Sequence, residues 1–207
     1  MQKNLFFGID YGSKLAGTTT ICYQNQKNKT IEILQTQKNE DADKFIAQKA
    51  AELHPQIIFI DAPLSLPIAY QNPNAEDPKP NFFYRQCDTE TQAMSPLFLG
   101  GLTARAMQLK HQLQRQNIKI YETYPAFLVK KIINDPTVAY KTKTASVHDF
   151  INHLKKTTFN ELLTDIQCPV MDNWHQVDGF LAWISAYRFS LNQHICLGNE
   201  QEGNIFI

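Results

Sequence analysis

The sequence predicts an α/β domain built on a mixed sheet, a three-strand antiparallel meander extended by parallel strands and flanked by helices. Two observations carry this. Three short apolar or β-branched runs open the chain, separated only by Gly-containing or Gln/Asn/Lys-rich turns, which suits antiparallel neighbours. A continuous apolar run, Ile57-Ile58-Phe59-Ile60, then follows a helical segment, the pattern of a buried parallel strand fed by a crossover.

The first strand is expected over Leu5 to Asp10, the second over Thr18 to Tyr23 and the third over Thr30 to Leu34. Asn39-Glu40-Asp41 supplies a helix start, and Phe45, Ile46, Ala50 and Leu53 form its apolar stripe, stopped by His54-Pro55. The fourth strand runs from Gln56 to Asp61. From Ala62 to Pro96 no periodicity is sustained, and six of the ten prolines fall there, so a long Pro-rich insertion loop is expected at about 62–96 within a single domain spanning 1–207. Regular structure resumes with a helix from Leu102 to Gln114, a strand from Ile118 to Glu122 and a short helix after Pro125. Further helices are expected at Val147 to Leu154 behind Ser146, at Phe159 to Ile166 behind Thr158, and at Asn173 to Leu191 with Asp172 as N-cap. Asn204 to Ile207 is either a last strand or a docked tail.

The formal charge is zero. It is unevenly spread: residues 101–170 hold ten Lys or Arg against five Asp or Glu. Such a stretch is either the solvated face of helices or a basic approach for nucleic acid. The four cysteines, Cys22, Cys87, Cys168 and Cys196, are far apart with no CxxC pair, which argues against a zinc ribbon or a disulfide framework and predicts reduced thiols in a cytoplasmic protein. No signal-peptide pattern and no apolar stretch of about 18 residues is seen, so no membrane span is expected.

Chemistry is concentrated in the carboxylates. Asp10 closes the first strand in Gly8-Ile9-Asp10-Tyr11-Gly12, and Asp61 closes the fourth in Ile60-Asp61-Ala62-Pro63. Glu122 closes the fifth, and Asp178 interrupts the apolar helix block Val177-Asp178-Gly179-Phe180-Leu181-Ala182-Trp183. Parallel strands present functional side chains at their carboxyl ends, so these groups are placed to converge, with Gly179 and Ala182 letting the helix come close. Oxygen ligands without Cys or His suit Mg²⁺ or Mn²⁺. Each carboxylate also has a structural reading: Asp10 and Asp61 as turn formers, Glu122 as a salt-bridge partner, Asp178 as a helix residue at a packing boundary. Arg85 is either a phosphate contact or the partner of Asp88 in pinning the loop. His175, one helical turn before Asp178, is either a proton shuttle or an ordinary first-turn residue. Tyr11, Phe82, Phe83 and Tyr84 offer rings for base stacking or for anchoring the loop.

Five segments resemble, in order, the motifs of a family of predicted RNase H-like nucleases. They are Gly8-Ile9-Asp10, Ile60-Asp61-Ala62-Pro63-Leu64, Arg85-Gln86-Cys87-Asp88, Tyr121-Glu122-Thr123-Tyr124-Pro125-Ala126 and Val177-Asp178-Gly179. The resemblance covers nearly the whole chain. It implies an RNase H-like fold, a divalent-metal site of Asp10, Asp61, Glu122 and Asp178, phosphodiester hydrolysis of nucleic acid, and motif positions at Arg85 and Asp88. Thr123 and Gly179 depart from the branched apolar residue and alanine expected at those places.

Two other functions compete. Asp10-Tyr11-Gly12-Ser13 with Gly17-Thr18-Thr19 resembles the first phosphate loop of actin-like sugar kinases, although no second Asp-x-Gly loop follows. A non-catalytic RNase H-like binding module is the other. Oligomeric state is not legible from the sequence.

Overall fold

The computed structural model describes residues 5–25, 27–74, 81–133, 135, 139–143, 145–156, 166–167 and 169–207. Strands β1 (Phe6–Asp10), β2 (Thr20–Gln24) and β3 (Ile31–Gln35) form the expected antiparallel meander. Helix α1 (Ala42–Leu53) is capped by Asp41, whose carboxylate accepts from the amides of Asp43 and Lys44, and it ends at left-handed His54. Strand β4 (Ile57–Asp61) then lies parallel to β1.

The segment expected as a loop is partly helical. It holds a 3₁₀ turn at Ile68–Tyr70, α2 (Gln86–Thr91) and the start of α3 (Pro96–Leu99). These elements are shorter than the window in which apolar periodicity shows. Helix α4 (Gly101–Gln114), β5 (Lys119–Glu122), α5 (Pro125–Leu128) with a widened turn at Val129–Ile133, and α6 (Val147–Lys156) follow. Of the helix expected at Phe159 to Ile166, residues 159–165 lie outside the described residues, as does Cys168. Helix α7 (Trp174–Ser190) is capped by Asn173, which accepts from the amides of His175 and Gln176. The cap is therefore one residue later than the expected Asp172. The C-terminal stretch is a strand, β7 (Gly203–Phe206), and it forms a hairpin with β6 (Cys196–Asn199), which sequence reasoning missed.

Among the described residues the sheet has seven strands in the order β3-β2-β1-β4-β5-β7-β6. This is the expected mixed sheet, an antiparallel meander extended by parallel strands, with β1, β4, β5 and β7 parallel. Its two faces carry separate cores. On one, Phe7, Ile9, Ile58 and Ile60 pack on Phe45 and Ile46 of α1 and on Ala106, Leu109 and Leu113 of α4. On the other, α7 packs with α5 and α6 around Phe180, Leu181, Trp183 and Ile184. Residues Val177 to Ala186 of α7 are all buried, as expected of a helix that is apolar all round.

Candidate metal centre

Alternation along β1 sends Phe7 and Ile9 to the α1/α4 face and Gly8 and Asp10 to the α7 face. The parallel register of β1 and β4 pairs Asp10 with Asp61, so both carboxylates leave the sheet on the α7 side. Helix α7 reaches them because Gly8 has no side chain: a Cβ there would stand 1.9 Å from the Trp183 backbone nitrogen. Gly179 continues the contact, its missing Cβ lying 3.1 Å from Thr20 Cγ2. The residue before Gly179 is Asp178. Carboxylate oxygens of Asp10, Asp61 and Asp178 consequently lie within 4.8 Å of one another.

Three anions held this close in a largely buried place repel. Asp178 is 1% exposed. Burial first, and then Asp10 and Asp178, push the Asp61 carboxyl well above the usual carboxylate range. Burial likewise pushes Asp178 up to about 6, against the pull of Lys141. No described residue donates a hydrogen bond to Asp61. Asp178 is better served: the Tyr140 hydroxyl donates to Oδ1 and the Lys141 ammonium contacts Oδ2. Lys141 holds this position from a left-handed backbone, φ 53°. His175 Nδ1 lies 2.8 Å from Asp10 Oδ2, and that bond raises the imidazole's proton affinity. The donors are carboxylate oxygens only, and they fit a hard divalent cation.

Glu122 is elsewhere. The register of β4 and β5 pairs it with Ile60, so it leaves the sheet on the α4 side, opposite to Asp61. Thr123 takes the α7-side place and hydrogen-bonds Ser185 of that helix at 2.9 Å. Glu122 accepts two bonds of 2.7 Å from Arg85 and one of 2.9 Å from the Leu64 amide. Arg85 is 1% exposed, and its guanidinium also bonds both Asp88 oxygens and Ser65. Of the two readings of Arg85, the geometry has the loop-pinning pair with Asp88, extended to Glu122. The structure thus unites Asp10, Asp61, Asp178 and His175, and gathers Glu122, Arg85 and Asp88 into a neighbouring buried network. Tyr140 and Lys141 were missed by sequence reasoning. They lie in an aperiodic stretch 38 and 37 residues before Asp178, and no local pattern flags them.

Beside the cluster a cavity of about 290 Å³ opens, its lining shared by the carboxylates Asp10, Asp61, Asp88 and Glu122 and by apolar side chains that include Met94, Leu99 and Leu102. Of the expected basic approach, Arg105 is paired with Asp43 and stacked 4.7 Å over Tyr11. Lys110 reaches the Leu64 carbonyl at 3.4 Å. No helix of the described residues is long and apolar enough to cross a membrane.

The fold and site define an α/β protein with an acidic triad at the carboxyl edge of its central strands. No family model matches the chain, and no curated protein matches it. Among solved structures it is similar to one titled "Thermus thermophilus RuvC structure", with 9% sequence identity and a TM-score of 0.42 over 94% of this chain and 98% of that one. The site stands on its own geometry.

Proposed function

We propose that this protein is a divalent-metal-dependent nuclease that hydrolyses phosphodiester bonds of nucleic acid. The observation that carries the proposal is the convergence of Asp10, Asp61 and Asp178, from two strands and a helix, within 4.8 Å. The order of motifs in the sequence supports it, because three of the five segments that resemble RNase H-like nucleases supply the triad. Asp10, Asp61 and Asp178 would hold Mg²⁺ or Mn²⁺, which when bound neutralises phosphate charge and lowers the barrier to attack by water.

The chain's own residues have separable tasks. His175 is fixed through Nδ1 to Asp10, which leaves Nε2 to exchange a proton with solvent or substrate. Tyr140 orients the Asp178 carboxylate, and Lys141 supplies positive charge at the triad. Glu122, expected as a fourth ligand, is proposed to act by fixing Arg85 and the Leu64 amide, and through them the segment that follows Asp61. Arg85 and Asp88, expected at the substrate, are assigned to the same support.

The test is Mn²⁺ binding by calorimetry and cleavage of labelled DNA and RNA, using protein freed of contaminating nuclease. Asp10→Asn and Asp61→Asn should abolish both while circular dichroism stays unchanged. Cleavage undiminished in both variants would overturn the proposal. ATP binding in place of Mn²⁺-dependent cleavage would favour the kinase-like alternative.

A further inference from the structure

We infer that the cavity beside the triad receives one unstacked nucleobase, so that the substrate is single-stranded nucleic acid. The inference rests on the nuclease reading and names its substrate class.

The cavity is chemically mixed. Carboxylates, beside which a metal would take phosphate oxygens, share its lining with the apolar side chains of Met94, Leu99 and Leu102. Its volume of about 290 Å³ sits at the small end of ligand pockets, which suits a single planar group beside a phosphate. Among the described residues no lysine or arginine lines it. A duplex is held chiefly by Lys and Arg on its phosphates, with its bases stacked out of reach. A single strand can offer a base to an apolar slot and needs less cationic surface, because stacking contributes to affinity.

Exposed apolar residues adjoin the lining along the chain, Phe98 directly before Leu99. Phe98 is 63% exposed and Phe83 is 53% exposed, their ring centroids 5.8 Å apart, and the lining residue Met94 is itself 58% exposed. These rings are held in place. The hydroxyl of buried Ser95 donates to the Phe83 carbonyl, and that of buried Thr103 donates to the Pro96 carbonyl at 2.7 Å, fixing α3 and its Phe98. Solvent-facing aromatic rings beside a cavity are the marks of a binding surface. Two members of the triad, Asp10 and Asp61, line this cavity and select nucleic acid as occupant, since a protein partner would have no need of them.

The experiment is fluorescence anisotropy of a labelled single-stranded oligonucleotide and of its matched duplex, with Ca²⁺ in place of Mg²⁺, on the wild type, Met94→Glu and Phe98→Ala. Both positions are solvent-facing, and circular dichroism checks that the variants fold. The single strand should bind at least about tenfold tighter than the duplex, Met94→Glu should weaken it by about tenfold or more, and Phe98→Ala should weaken it severalfold. Mn²⁺ binding, measured separately, should be unchanged in both variants. Equal or tighter duplex binding, no single-strand binding, or indifference to both substitutions overturns the inference. So does concentration-dependent self-association lost in both variants, which would make these exposed residues a contact between copies. Loss of the nuclease reading is recognised independently, by absent Mn²⁺ binding in the wild type.

Discussion

Arg85 and Glu122 meet face to face inside the protein through two parallel hydrogen bonds of 2.7 Å each. The guanidinium also bonds Asp88 and Ser65, so its removal strands two buried carboxylates at once. Arg85→Met should cost about 3–5 kcal/mol in urea unfolding, the range for breaking a buried ion pair from one side. Adding Glu122→Gln should restore part of the loss. A single variant within about 1 kcal/mol of wild type would remove the network from the account of stability.

Gly8→Ala tests the contact that brings α7 to the sheet. The new methyl would meet the Trp183 main chain, which cannot swing aside as a side chain can. The expected cost is about 3 kcal/mol or more, at the upper end of overpacking, accompanied by weaker Mn²⁺ binding because Asp178 moves with its helix. Thermal unfolding and calorimetry read the two effects.

Asp61→Asn should act oppositely on the metal-free and metal-loaded proteins. Removing one of three repelling anions is expected to stabilise the metal-free form by about 1 kcal/mol. The same change should erase the gain that wild type shows with Mn²⁺, about 2.7 kcal/mol at a hundredfold excess over Kd. Differential scanning calorimetry with EDTA and with Mn²⁺ gives both numbers, and a metal-free variant less stable than wild type would contradict the repulsion.

Lys141→Ala separates a competitor from a helper. The ammonium occupies an oxygen of Asp178 and is 42% exposed, so its contribution to stability is screened and should be about 1 kcal/mol or less. With it gone, Mn²⁺ should bind severalfold tighter while the metal-free melting temperature falls slightly. Unchanged or weaker binding in calorimetry would mean that Lys141 does not contend with the cation.

His175→Gln addresses proton exchange. Turnover should fall by about a hundredfold, the low end of general acid–base contributions, while Mn²⁺ affinity stays within about tenfold because the side chain touches Asp10 from outside the triad. Single-turnover kinetics set against titration calorimetry distinguishes this from simple loss of metal.

Much of the site was legible because strand alternation and helix spacing are local. Asp10 and Asp61 close apolar strands, and His175 lies three residues before Asp178, so neither placement depends on distant contacts. The side taken by Glu122 was illegible, because it is set by the pairing of β5 with β4, and a shift of one residue exchanges the faces. Arg85 and Asp88 are spaced as a helix start and its third residue, which announces their mutual bond. It does not announce Glu122, 37 residues on. Strand β6 escaped notice since Cys196-Leu197-Gly198-Asn199 has too few apolar residues to stand out, and it exists as the partner of β7.

The backbone-to-backbone seam between Gly8 and Trp183 has a consequence for ion choice. With main chain abutting main chain, the helix cannot advance on the sheet to suit a cation of smaller radius. The aperture between Asp10 and Asp178 then has a lower limit, and tuning toward a smaller ion would have to come from the reach of the carboxylate stems, by exchange of Asp for Glu.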